Sequence, residues 1–186
     1  MYNEEQIIKD CIQNKAEAQF KLYKHYASKM YGICLRFAKI SNEGDDILQE
    51  AFIKVFENLK NFRNEGSFEG WIKRIVVNTA INYVKKNAIY YQDENIDNIG
   101  EIEIEENEAV SNISQNELIN LIQQLPDGKR IVFNLYEIEG YSHKQIAETL
   151  NISENTSKSQ LAKAKIILRD KIEKINNKTK ELIIDK

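Results

Sequence analysis

One proline and seven glycines in 186 residues leave this chain almost no material for tight turns. A fold of many short strands needs frequent turn signals, so an all-β architecture is disfavoured and an all-α fold is expected. At 42% apolar and 30% charged residues, the composition is that of a globular protein. No apolar run approaches the ~20 residues that a membrane-spanning helix needs. The start, MYNEEQIIKD, lacks the basic and then apolar stretches of a secretory signal. Cys11 and Cys34 are too few and too widely spaced for a disulfide framework or a zinc site. These features predict a reduced, cytoplasmic protein with no membrane insertion, no metal and no cofactor.

A net charge of −3 conceals a strong asymmetry. Residues 1–91 hold 14 basic and 11 acidic groups, and residues 113–186 hold 12 and 10, balances of +3 and +2. Between them, residues 92–112 carry eight acids and no Lys or Arg. Like charges without an apolar stripe repel and stay extended, so 92–112 reads as a flexible acidic linker. Two small helical domains, 1–91 and 113–186, are expected on either side of it.

In the first domain, residues 16–38 carry Phe20, Tyr23, Tyr31, Leu35 and Phe37 at helical spacing. Residues 45–60 put Ile47, Leu48, Phe52, Val55, Phe56 and Leu59 on one stripe, which predicts an amphipathic helix. Asn64-Glu65-Gly66-Ser67 breaks the pattern, with Ser67 as N-cap of a helix over about 68–86. Phe68, Trp71, Ile72, Ile75, Val76, Thr79 and Tyr83 form its apolar side. Lys73, Arg74, Asn78, Asn82, Lys85 and Lys86 fall elsewhere around it, and no acid occurs between Trp71 and Lys86. Such a surface suits phosphates and base edges, although an ordinary solvated face has the same composition.

The second domain is more specific. Ser114-Gln115-Asn116-Glu117 is a capping-box pattern that opens a helix ended by Pro126, with Asp127-Gly128 completing the turn. A further helix is expected from Lys129 to Ile138, stopping at Gly140. Ser142-His143-Lys144-Gln145 is a second capping box and opens a short helix with Ile146, Ala147 and Leu150 inward. Asn151 stands where the chain must turn sharply, and Asn tolerates the left-handed conformation well. Ser153 caps the last helix, which carries Leu161, Ala164, Ile167 and Leu168 inward. Short helix, tight turn, longer helix, with small Ala147 at the crossing, is a helix-turn-helix pattern. Its second helix is expected to present Asn155, Thr156, Lys158, Ser159, Gln160 and Lys163 outward. Asn and Gln can bond bidentately to adenine, and Lys can reach guanine or phosphate.

On these residues the chain resembles a family. PDGKRIVFNLYEIEGYSHKQIAETLNISENTSKSQLAKAKIILRDK, residues 126–171, looks like region four of an extracytoplasmic-function sigma factor of bacterial RNA polymerase. DDILQEAFIKVFENLKNFRNEGSFEGWIKRIVVNTAINYVKK, residues 45–86, looks like region two of the same family. The order of the blocks and the acidic segment between them also match. The resemblance implies a protein that binds core RNA polymerase, recognises the minus-ten and minus-thirty-five promoter elements and promotes DNA melting. An anti-sigma factor is a further implied partner.

Residue by residue, Asp46, Gln49 and Glu50 fall on the family's Asp-x-x-Gln-Glu segment, which docks on the polymerase clamp helices. At i, i+3 and i+4 these three share a helix face opposite Leu48, Phe52 and Val55. Phe62 to Trp71 match the loop and helix start that receive a flipped minus-ten base, which implicates Phe68; a role as core anchor is open for both Phe68 and Trp71, and Trp71 is read as core. Asn78, Asn82 and Lys85 match an Asn-x-x-x-Asp-x-x-Arg segment, with Asn82 and Lys85 replacing the Asp and Arg. Minus-ten contacts are thus implied for Phe68, Lys73, Arg74, Asn78, Asn82, Lys85 and Lys86. Ser153 to Lys165 match Ser-x-Gly-Thr-Val-Lys-Ser-Arg-Leu-x-Arg-Ala-Arg. Here Asn155 replaces Gly, Ser157 an apolar residue, Gln160 Arg, and Lys163 and Lys165 Arg. Minus-thirty-five contacts are implied for Asn155, Thr156, Lys158, Ser159, Gln160, Lys163 and Lys165.

No enzyme is expected. His25 and His143 lie in different domains, without a nucleophile or metal-ligand spacing around either. A helix-turn-helix regulator independent of polymerase, or an all-helical protein-binding adaptor, is the alternative that the residues alone leave open.

Overall fold

A computed structural model describes residues 3–88 and 114–184, all of whose regular elements are helical. The chain divides into two compact units between Lys86 and Asn87. The acidic segment 92–112, with the boundaries expected at 91 and 113, lies outside the described residues.

The first unit holds α1 (Glu4–Ile12), α2 (Ala16–Phe37), α3 (Ser41–Asn58) and α4 (Phe68–Ala88), with a 3-10 turn at Leu59–Asn61. Along α2 the buried line is Ala18, Leu22, Tyr26, Met30, Ile33, Cys34 and Phe37. Only Phe37 of the aromatic series read from the sequence is among them. Phe20 and Tyr23 instead sit on the flank of α2, 64% and 36% exposed. Tyr23 meets Phe52 of α3 edge to face, centroids 4.8 Å apart. α2 and α3 cross closely because position 44 is glycine, where a Cβ would stand 3.0 Å from Leu35 Cδ2. Tyr26 donates a hydrogen bond to the Glu4 carboxylate, tying α1 to α2.

In the second unit are α5 (Gln115–Gln123), α6 (Asp127–Phe133), a π-helical turn (Asn134–Ile138), α7 (His143–Leu150) and α8 (Glu154–Ile184). Both capping boxes form: Ser114 with Glu117 and Ser142 with Gln145 exchange side-chain and backbone hydrogen bonds. The turn after Pro126 is shorter than expected. Pro126 is itself the N-cap of α6, and Asp127 and Gly128 are already helical. The reason lies in Arg130, only 2% exposed, whose guanidinium donates to Asp127 at 2.6 Å and to the Leu125 carbonyl at 2.8 Å. Asp127 can close that pair only from within the first helical turn.

Asn151 adopts φ 56°, ψ 50°, and its N–H reaches the Ala147 carbonyl. Ile146 is wholly buried, while Ala147 and Leu150 are half-buried at the crossing. Leu121, Leu125, Ala164 and Leu168 form one core cluster, extended by Ile172 and Ile175. A β-branched side chain clashes in the left-handed region, at a cost of roughly 1–2 kcal/mol. Asn151→Val should therefore lower the unfolding free energy by that amount, read as a lower urea midpoint at unchanged slope, whereas Asn151→Gly should leave the midpoint nearly unchanged.

Candidate nucleic-acid interface

Along α4, one face is consumed by the core: Ile72, Val76, Val77, Ala80, Ile81 and Val84 are all buried. What remains outward is Arg74, Asn78, Asn82, Lys85 and Lys86, all exposed, with Lys73 half-buried at the margin. Arg74, Asn78, Asn82 and Lys85 follow one another at helical spacing and make a continuous cationic and amide line. The Ser67 hydroxyl caps the helix by accepting from the Gly70 N–H at 3.1 Å. The ammonium of Lys29 on α2 meets the Glu69 carboxylate at 2.6 Å and holds the start of α4 in place.

Phe68 stands apart from the other residues implied for this helix, because it is buried. It is 3% exposed, with ring neighbours Tyr26 at 5.8 Å, Phe62 at 5.0 Å and Trp71 at 5.6 Å. Burying such a side chain stabilises the fold by ~1.5–3 kcal/mol, which withdrawing it to meet a base would forfeit. Phe62 and Trp71 are instead the half-buried rings of this group, 5.5 Å apart. Trp71, expected in the core, thus keeps an accessible edge. The preceding loop turns at Asn64, φ 59°, and its residues 63–67 are exposed.

On α3, Asp46, Gln49 and Glu50 are all exposed and share the face turned away from the core. The Glu50 carboxylate holds Lys54 at 2.6 Å. Ile53 lies on this same face, 58% exposed, one turn beyond Gln49 and Glu50. The sequence reading places it neither on the apolar stripe nor among the contact residues; its phase with Asp46 and Glu57 is the available signal.

On α8 the buried line is Ser157, Leu161, Ala164 and Leu168. The opposite line runs through Asn155, Ser159, Ala162 and Ile166, with Lys158 and Lys163 on its flanks. Asn155 and Lys158 are exposed; Ser159, Ala162, Lys163 and Ile166 are half-buried. Ala162 and Ile166 were not among the expected contacts, and helical phase alone puts them on this line. Three expected side chains are otherwise engaged. The Thr156 hydroxyl lies 2.8 Å from that of Ser153, within the cap. Lys165 pairs with Glu137 of the π-helical turn at 2.8 Å. Gln160 faces α6 rather than outward: its amide lies about 3.5 Å from where a Cβ on Gly128 would stand, and its Oε1 is enclosed without a hydrogen bond.

Ser157, where the sequence departs from an apolar pattern, is wholly buried, and its hydroxyl lies 2.9 Å from His143 Nδ1. The His143 ring stacks on Tyr136, centroids 4.4 Å apart and planes 22° from parallel. One imidazole therefore touches the π-helical turn, α7 and α8 together. Burial holds its pKa below the ordinary 6.5, assisted by the Lys158 and Lys165 charges and opposed by Glu154 and Glu137. Below 6.5 the unfolded chain binds a proton that the folded unit resists, so stability is present above that pH and lost as the pH falls through the lowered value. The urea midpoint of the wild type should accordingly fall more on acidification than that of His143→Gln. Parallel pH profiles would contradict this.

Burial also disarms the two thiols: Cys11 is pushed up to about 11 and Cys34 to about 12. Among the described residues, no group of three His, Cys, Asp or Glu side chains could hold a metal ion. None of the described helices is long and apolar enough to cross a membrane.

Comparison with known proteins locates the same two blocks. The family described as "Sigma-70 region 2" matches residues 22–89, and "Sigma-70, region 4" matches residues 115–168. The ECF RNA polymerase sigma-E factor of Haemophilus influenzae is 28% identical, covering 91% of this chain and 95% of its own. The ECF RNA polymerase sigma-E factor of Escherichia coli is 29% identical, covering 96% of both. A solved structure of the sigma factor RpoE from Bartonella quintana, in complex with the anti-sigma factor NepR, covers 83% of this chain and 96% of its own. Its TM-score is 0.50 at 15% identity, a likeness of fold.

Proposed function

The chain belongs to the extracytoplasmic-function sigma factors of bacterial RNA polymerase, and we propose that three outward helix faces divide its work among polymerase and the two promoter elements. As a sigma factor it binds core RNA polymerase and promoter DNA in transcription initiation. Under the proposal, residues 1–91 form the unit that meets the polymerase and the minus-ten element. Residues 113–186 form the unit that meets the minus-thirty-five element.

In this reading Asp46, Gln49 and Glu50 on α3 face the polymerase, with Ile53 as an apolar neighbour. The line Arg74, Asn78, Asn82 and Lys85 on α4, with Lys73 and Lys86 beside it, receives the separated minus-ten strand. A base leaving the stack would find Phe62 and Trp71 as partners, since aromatic faces stack on any base. Asn155, Ser159 and Ala162 on α8 face base edges, the Ala162 methyl suiting a thymine methyl, while Lys158, Lys163 and Lys165 serve phosphates. The observation that carries the reading is the α4 line: a stripe of exposed cations and amides without an acid, on a helix whose other face is core. Its place of action is the cytoplasm with the polymerase, it performs no catalysis of its own, and an anti-sigma factor is its regulator.

Co-elution with core polymerase tests the α3 assignment. Gln49→Ala combined with Glu50→Lys removes an amide and puts a second ammonium beside Lys54 on an exposed face. The fold should change by no more than ~0.5 kcal/mol, while polymerase affinity should fall by ~2–5 kcal/mol. Unchanged co-elution at matched salt would overturn the assignment.

Selection of bound duplexes from a random pool by the polymerase-bound chain tests the α8 face. Asn155→Ala should relax preference at one position, by ~1–3 kcal/mol if its contact is bidentate. Gln160→Ala, whose side chain faces α6, should leave the preferred sequence unchanged. A shift in preference for Gln160→Ala alone would reverse this orientation of the helix.

A further inference from the structure

We propose that DNA binding at α8 is coupled to proton uptake by His143, with the Ser157 hydroxyl keeping the ring in place in both charge states. The proposal rests on the reading of α8 as a DNA-facing helix.

The geometry has three parts. First, the imidazole is fixed by stacking on Tyr136 and by the 2.9 Å contact of Nδ1 with Ser157 Oγ. A hydroxyl both donates and accepts. With neutral imidazole it can donate to bare Nδ1, and with imidazolium it accepts from Nδ1–H. The proton can thus be gained without breaking the contact. An apolar residue at 157 would leave Nδ1 without that partner.

Second, the charges facing the ring come from every element around it. Glu137 approaches from the π-helical turn that also bears Tyr136; Glu154, Lys158 and Lys165 belong to α8. Lys144 follows His143 on its own helix. Burial and the lysines disfavour the cation in the free protein, and the glutamates favour it.

Third, one of those glutamates is already committed, because Lys165 holds Glu137 at 2.8 Å. A phosphate approaching α8 compensates the charge of Lys158 and draws Lys165 toward itself. One change weakens a repulsion on the imidazolium, and the other releases Glu137 toward it. Both favour the proton. By linkage, a proton taken up on binding means that protons strengthen binding by the same factor.

Binding of the full chain to random-sequence duplex DNA at low salt, followed from about pH 8 to about pH 5.5, tests the coupling across the range where histidine titrates. The wild type should tighten on acidification by ~5-fold more than His143→Gln, the lower end of ordinary coupling. His25→Gln should keep the wild-type slope. Nuclear magnetic resonance of the wild-type His143 ring gives a second readout that needs no variant: the ring should titrate at higher pH with DNA than without. Equal pH slopes for wild type and His143→Gln with binding intact, or a ring that titrates alike in both states, would overturn the coupling alone. Failure of the duplex to bind at any pH would overturn the DNA-facing reading of α8, and the coupling with it.

Discussion

Burial of Ile72, Val76, Ala80 and Val84 along α4 decides what the rest of that helix can do. A helix has one circumference, and each turn given to the core fixes which side chains are left for solvent or a partner. On α4 the remainder is Arg74, Asn78, Asn82 and Lys85. The same division on α3 leaves Asp46, Gln49, Glu50 and Ile53, and on α8 it leaves Asn155, Ser159, Ala162 and Ile166. The outward surfaces are thus the complement of the cores. A substitution that rotated any of these helices by one residue would replace its whole outward set.

Much of this was legible in the sequence, because local chemistry sets local structure. Ser114, Ser142 and Ser153 cap where their side chains can satisfy the free N–H groups of a first turn, and Asn151 turns left-handed where the helix-turn-helix demands it. Errors came where a long-range contact outranked a local pattern. Arg130 pulled Asp127 into the helix and shortened a turn that Pro126-Asp127-Gly128 advertises. Phe68 was consumed by three neighbouring rings. Gln160 turns toward α6 and Ala162 lies opposite the buried line because helical phase from Ser157 and Leu161, not polarity, sets which side faces out, and a buried serine masks that phase in the sequence.

That buried serine also shows why a departure from a family pattern is best interpreted in space. Alone in an apolar layer, a hydroxyl without a partner costs ~1–3 kcal/mol. Fourteen residues earlier the chain supplies His143, and the pair satisfies both polar atoms while Tyr136 covers the ring. The two residues form one feature, and substituting either alone exposes the cost of the other. A contact that would otherwise be apolar becomes one that can bind a proton beside the cations assigned to DNA.

The central claim is that the outward line of α4 holds the separated promoter strand. Permanganate reactivity of a promoter opened by the chain with core polymerase, measured beside a footprint of the flanking duplex, tests it most directly. For Asn78→Ala with Lys85→Ala the account predicts a large loss of permanganate reactivity, a largely retained upstream footprint and an unchanged urea midpoint. Full reactivity in the double variant, or equal loss of reactivity and footprint, would contradict it.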